Sequence, residues 1–260
     1  IRASINAGTR WNIIPGTAHF VEHMIIAGSK KFPSKNLLAE EIEQIGGGIS
    51  AATNFDSISV NVQVAQENDL PIAPDVLNEM LCNSLFDPGV VENERGAILS
   101  ELRSKKSNPE RYIWDLFSNL VFQGTHMQYP TLGNEASIKQ IGVSDIKKFY
   151  LDYFSPARIT YIACGDIEIN KLKKSFENSI KITSTVKNSL PYTPETIIEK
   201  RISVEHFENE ETRLMLGFRT DSQLLEEKVA LFVIGNILAV GRTSILATEL
   251  RYKKGLVYGV

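Results

Sequence analysis

The sequence predicts an α+β fold in which helices pack on an antiparallel-rich sheet, and three observations carry that expectation. Strand-like and helix-like segments alternate in blocks along the chain. Residues 49–64 read as a hairpin: Ile58, Val60, Val62 and Val64 alternate with polar residues, as in a strand that buries one face. A stretch rich in Ser, Thr, Pro and charge at 182–199 interrupts the chain, and strand and helix patterns resume beyond it. The expected organisation is a first domain over 1–185, a linker at 186–199, and the start of a second α+β domain over 200–260.

Taken in order, Ile1 to Ala7 alternates as a strand and runs to Gly8. The Pro15-Gly16 turn then starts a helix over 17–27, which Gly28 is placed to stop. Ser34 is a natural N-cap for a second helix whose apolar stripe is Leu38, Ile42 and Ile45. Gly46-Gly47-Gly48 favours a sharp reversal and leaves room for another backbone to come close. The hairpin follows, with its turn at Asn54-Phe55-Asp56. A third helix lies between Asp69 and Leu85, and Asp87-Pro88-Gly89 punctuates the chain before a fourth over 90–105. Asn108-Pro109 supplies N-cap and first turn for a fifth helix carrying Ile113, Leu116, Phe117, Leu120 and Val121.

A Gly- and Pro-punctuated loop holds His126 and Tyr129, and a helix over 143–153 comes next. Residues 159–165 are expected to be a buried strand and 169–180 a helix. Beyond the linker, Leu214, Leu216 and Phe218 alternate as in a strand at 212–218. An apolar helix over 229–240 is broken by Gly241, and a further helix holding Leu246, Leu250 and Arg251 ends near Gly255.

Bulk properties narrow the partners. With 43% hydrophobic and 23% charged residues in 260, the composition is that of a globular protein with a real core. A formal charge of −3 gives no electrostatic reason to expect nucleic acid or an anionic membrane surface. No apolar run reaches transmembrane length. Cys82 and Cys164 sit among apolar residues and are expected to be buried free thiols. The strand-like start and the apolar, unstopped end at 255–260 are expected to mark a cut chain that lacks a strand of the first domain and much of the second. A leader is therefore left undecided, and a cytoplasmic location is favoured.

The chemistry concentrates in Thr17-Ala18-His19-Phe20-Val21-Glu22-His23-Met24. At 3.6 residues per turn, His19 and His23 lie on one helical face with Glu22 on its flank. Two imidazoles so spaced can seat zinc, and a water activated there needs a nearby base. His-x-x-Glu-His inverts the common zinc-protease order and is the inverzincin signature. The competing reading is a pair of histidines on a half-buried helix. Downstream, Glu94, Ile98 and Glu101 share a face, whereas Glu92 points away. Either that face is a solvated acidic stripe, or one of its acids completes a three-ligand site. His126 and His206 lack metal spacing, and the three glycines are not followed by the Lys-Ser/Thr of a phosphate loop.

Taken together, these motifs resemble the M16 family of zinc peptidases, the family of pitrilysin, insulin-degrading enzyme and mitochondrial processing peptidase. The likeness runs through residues 16–24, through 46–53, through Glu94-Arg95 and Ser100-Glu101-Leu102, and returns in Leu250-Arg251 and 255–258. It implies that His19, His23 and Glu101 bind Zn2+, since Glu101 follows His23 by 78 residues. Glu94 would support the site from behind, and Glu22 would be the general base for metal-activated water. The edge strand Ser50, Ala51, Ala52 and Thr53 would carry an extended peptide by main-chain pairing. Ser50 departs from the asparagine usual there.

Arg251 and Tyr258 resemble the arginine and tyrosine that reach substrate near the scissile bond. In relatives built from two similar halves, that pair acts from the half opposite the zinc. The resemblance thus implies a zinc endopeptidase acting on peptides or unfolded polypeptides, as a homodimer or with a paired M16-like subunit. The alternative is a non-catalytic scaffold of the same fold, in which an eroded metal motif is expected.

Overall fold

The opening segment forms strand β1 (Arg2–Ile5), and the hairpin forms β2 (Gly48–Thr53) and β3 (Ile58–Gln63). With β4 (Ile159–Ile162) they make, among the described residues, an antiparallel sheet of order β2-β3-β1-β4. The computed structural model describes residues 1–155, 158–179, 201–208, 211–220 and 224–260. The chain divides into two compact units, Ile1–Tyr192 with Ile198–Met215 and Thr193–Ile197 with Leu216–Val260. The linker expected at 186–199 lies outside the described residues.

In the first unit the register puts Ala3 opposite Val60 and Ile5 opposite Ile58, so these side chains share one sheet face with Val62. All five are fully buried. Helices α1 (Thr17–Ala27) and α3 (Ile72–Cys82) bury Phe20, Val21, Met24 and Ile25, and Val76, Leu77, Met80 and Leu81, in the same core. Each such large side chain contributes roughly 1.5–3 kcal/mol. Helix α1 is buried on nearly all sides, packed against the sheet edge β2, against α4 (Pro88–Lys106) and against α7 (Val143–Tyr153).

The glycine run does what its composition suggests. Gly46 turns with φ of 72°, and a Cβ on Gly47 would lie 2.3 Å from the Gln63 carbonyl oxygen, where β3 passes the helix end. Just before it, Ser34 caps α2 (Lys35–Glu43), which buries Leu38 and Ile42. Asp87-Pro88-Gly89 is the cap and first turn of α4 rather than a separate loop: Asp87 Oδ1 accepts from the amides of Gly89 and Val90 at 2.8 and 3.1 Å. Asn108 likewise opens α5 (Pro109–Val121).

Several expectations are corrected. A short helix unmarked by any long apolar period, α6 (Glu135–Gln140), precedes α7 and is closed by a reciprocal Asn134–Ser137 capping box. The apolar run at 159–165 is not a buried strand. Its strand, β4, is the sheet's outer edge, pairs with β1, and leaves Ile162 52% exposed. Cys82 and Cys164 are free but exposed, the first at the last residue of α3 and the second just past that edge strand.

The alternating segment at 212–218 enters no sheet among the described residues, and Leu214, Leu216 and Phe218 are exposed. Alternation prepares a strand but does not supply its partner. Helix α8 (Ile169–Ser179) completes the first unit's described helices.

In the second unit, α9 (Leu225–Ala239) ends before Gly241, whose φ is 86°. The last helical segment is a π-helix, Ala247–Lys253, that holds Arg251 and ends before Gly255 with φ of 62°. Among the described residues, no helix is long and apolar enough to cross a membrane.

Candidate metal centre

The position of α1 is fixed at its N-terminus by a loop. Gly16 takes φ of 95°, and a Cβ there would meet Ile138 Cδ1 at 2.6 Å and the Leu132 oxygen at 2.8 Å. The N-cap residue itself offers no side chain. Asn12, six residues earlier and buried, accepts from the Ala18 amide at 2.8 Å instead, and the Thr17 hydroxyl donates to the Ile14 carbonyl at 2.8 Å. This cap was not legible from spacing. An Asn ahead of a helix was its one signal.

Helix α4 is clamped against α1 by Arg95. Its guanidinium makes two bonds to Glu92, at 2.9 and 3.0 Å, donates to the Ile138 carbonyl, and lies 5.3 Å from the Phe20 ring centroid. With α4 so rotated, Ile98 is fully buried and the carboxylates one turn to either side reach the histidines.

His19 Nε2 is 3.6 Å and His23 Nε2 is 3.7 Å from Glu101 Oε2. The rings meet edge to face with centroids 4.7 Å apart. One donor atom from each of the three residues lies within 4.8 Å of the others. Donors 2.0–2.2 Å from a tetrahedral zinc ion are separated by about 3.4 Å, so this set fits such an ion. The outer nitrogen of His23, Nδ1, is 2.8 Å from Glu94 Oε2. His19 Nδ1 is buried without a hydrogen-bond partner, which leaves Nε2 as that ring's one directed contact.

The electrostatics divide the two rings. Burial, and then the nearby His23, lower His19 to about 4. Burial also opposes charge on His23, but the facing Glu101 carboxylate and the hydrogen bond to Glu94 outweigh it and raise that ring to about 9. Interaction with His23, a hydrogen bond for Glu94 and a close charge contact for Glu101, in turn holds both carboxyls below the usual carboxylate range.

Glu22 is 8% exposed. Burial raises its carboxyl above the ordinary range, against a hydrogen bond that the Thr53 hydroxyl donates to Oε2. Thr53 is the last residue of β2, whose far edge carries no partner among the described residues. Ser50 faces Asn61 across the hairpin and accepts from its Nδ2 at 3.3 Å, while Ala51 and Ala52 lie between Ser50 and Thr53 on the same edge. Lys105, one turn beyond Glu101 on the same face, pairs with the buried Asp115 of α5 at 2.6 Å. Neither was singled out in the sequence.

In the second unit Arg251 and Tyr258 come together, the guanidinium carbon 4.7 Å from the tyrosine ring centroid. Tyr258 is 88% exposed. His126 opens a short 3-10 turn and His206 lies in the irregular 201–208 segment, and the described residues form no metal-type cluster around either.

Residues 4–135 match the family described as Insulinase (Peptidase family M16), and residues 140–260 match the Peptidase M16 inactive domain. The chain belongs to peptidase family M16. His19, Glu22, His23, Glu94 and Glu101 all fall in the first of these matches, and Arg251 and Tyr258 in the second.

Among relatives, a zinc protease of Streptomyces coelicolor is 27% identical over 252 residues, covering 94% of this chain and 54% of its own. One of Bacillus subtilis is 28% identical, covering 95% and 59%. The beta subunit of the mitochondrial-processing peptidase of Dictyostelium discoideum is 31% identical, covering 66% and 37%. This M16 chain thus spans between 37% and 59% of the length of these relatives. A protease from Helicobacter pylori has the same fold, with a TM-score of 0.82 at 19% identity over 99% of this chain and 64% of its own.

Proposed function

We propose that this M16 chain carries the centre of a zinc-dependent endopeptidase that hydrolyses extended peptides. The observation that carries the reading is the convergence of His19 Nε2, His23 Nε2 and Glu101 Oε2 from two helices onto one point. The names of the relatives, zinc proteases, support the metal. Zinc, when bound, supplies Lewis acidity that makes water a nucleophile near neutral pH.

Glu22 is the general base. Its buried carboxyl, raised above the ordinary carboxylate range, accepts a proton from water at the site and returns it to the leaving amine. Glu94 orients the His23 ring through Nδ1 and keeps Nε2 directed inward. The open edge of β2 at Ser50, Ala51, Ala52 and Thr53 takes the peptide as an added strand, an arrangement that reads main chain rather than side chains. Arg251 and Tyr258 act on substrate near the scissile bond, in a homodimer or with a paired M16-like subunit.

The competing scaffold reading predicts loss of the donor set, whereas all three donors are present and convergent. The deciding experiment measures zinc content and chelator-sensitive cleavage of a mixed peptide pool by the full-length protein and by its Glu22→Gln and His23→Ala variants. Glu22→Gln retains zinc and loses cleavage; His23→Ala loses both. Wild-type cleavage by metal-loaded Glu22→Gln overturns the assignment of the base. Absence of zinc-dependent cleavage by the wild type returns the chain to the scaffold reading.

A further inference from the structure

The Glu22 carboxylate has one defined partner outside the histidine cluster. Thr53 Oγ1 donates to Oε2, and among the described residues Oε1 accepts no hydrogen bond. One oxygen is thereby held and the other left free. Thr53 is suited to the task because its branched Cβ restricts the direction of the hydroxyl.

Its backbone is fixed as well. Thr53 is in register with Ile58 across the hairpin, and the turn after it is closed by the Asn54 amide on the Ser57 carbonyl at 2.8 Å. That turn is tied to the loop before α1 by the amides of Thr9 and Arg10, each 3.0 Å from the carbonyls of Asn54 and Phe55, and by the Arg10–Asp56 pair at 2.6 Å. The hydroxyl therefore reaches Glu22 from a rigid strand end.

We infer that Thr53 is a positioning residue for the base: it holds the Glu22 carboxylate in the reactive orientation and ties that orientation to the strand on which the peptide lies. The inference rests on the peptidase reading above, in which Glu22 is the base and β2 the peptide's strand. A peptide paired along β2 lies on the same fixed strand that carries the Thr53 hydroxyl, so substrate and base are held in one frame. The backbone pairing that holds Thr53 in place does not depend on this bond. Its removal is expected in the chemical step.

The test uses Thr53→Val, which keeps the shape without the hydroxyl, Thr53→Ala, and Thr53→Ser, which keeps the hydroxyl, all in the full-length protein beside the wild type and Glu22→Gln. Zinc content and thermal melting are measured for each. Thr53→Val and Thr53→Ala bind zinc as the wild type does and lose about ten- to a hundredfold in kcat with little change in KM, the size expected for a misplaced catalytic group. Thr53→Ser recovers most of that loss.

Wild-type kcat in Thr53→Val or Thr53→Ala, a change confined to KM, or a loss in Thr53→Ser as large as in Thr53→Val overturns the positioning role alone. If Thr53→Val does not fold, Thr53→Ala and Thr53→Ser decide by the same criteria. A wild type without zinc-dependent cleavage, or an active Glu22→Gln, overturns the peptidase reading and this inference with it.

Discussion

His23 Nδ1 lies 2.8 Å from Glu94 Oε2, on the opposite side of the ring from the nitrogen that faces Glu101. The bond fixes which nitrogen is free to bind a cation. Glu94→Gln keeps the size of the side chain but removes the negative charge behind the ring, and Glu94→Ala removes the partner altogether. Loss of such a carboxylate is expected to weaken zinc binding by about 10- to 100-fold, with Glu94→Ala the more severe. Competition with a chromophoric chelator measures it. Unchanged affinity in Glu94→Ala removes Glu94 from any role in the site.

Zinc affinity is expected to rise with pH by one proton's worth. His19, lowered to about 4, is neutral through the neutral range, whereas His23, raised to about 9, still holds a proton that zinc must displace. Glu101 and Glu94, held below the usual carboxylate range, are ionised there. The apparent affinity should therefore increase about tenfold per pH unit between about pH 5 and pH 8 and level off above the His23 value. A slope of two would mean that both rings are protonated, and a slope of zero that neither is. Titrations in buffers that do not bind zinc separate the three cases.

Gly16→Ala should destabilise the first unit. The φ of 95° is costly for alanine, and the added methyl carbon meets Ile138 Cδ1 and a backbone oxygen inside van der Waals distance. A loss of about 2 kcal/mol, or roughly 4–8 °C in Tm for a unit of this size, is expected. Asn12→Ala removes the borrowed cap of the same helix and should cost about 1 kcal/mol. A Gly16→Ala variant that melts with the wild type would mean that the loop relaxes freely, and that it does not fix the height of His19.

The local patterns were the legible part of the fold. Spacing alone puts His19 and His23 on one helical face, Gly28 stops their helix, and alternation with a three-residue turn marks the β2–β3 hairpin. That Glu101 comes within 3.7 Å of both rings depends on how α4 crosses α1, which the Arg95 clamp helps set and no short window encodes. The likeness to M16 peptidases, rather than spacing, chose Glu101 over Glu94. The Thr53–Glu22 bond joins residues 31 apart in different elements, and nothing at either position announces the other. The apolar run at 159–162 reads the same at a sheet's centre as at its edge, because burial is a property of the neighbours.

The Lys105–Asp115 pair offers a test of how α5 is held beside the metal-facing surface of α4. Both side chains are largely withdrawn from water, 14% and 12% exposed, at a separation of 2.6 Å. In that setting an ion pair adds little over a well-packed apolar pair, but loss of one partner strands the other charge. Asp115→Leu or Lys105→Met alone should therefore destabilise by roughly 3 kcal/mol, while Lys105→Met with Asp115→Leu should recover much of the loss. Lys105 also lies close enough to His19 to oppose a proton on it, so the single Lys105→Met variant removes a repulsion from the site as well. The same charge opposes a bound dication, so zinc affinity at neutral pH should rise modestly in Lys105→Met. Chemical denaturation of the two single variants and the double variant forms the cycle. If the losses of the single variants simply add in the double, the two residues do not act as a pair and α5 is held by its apolar contacts alone.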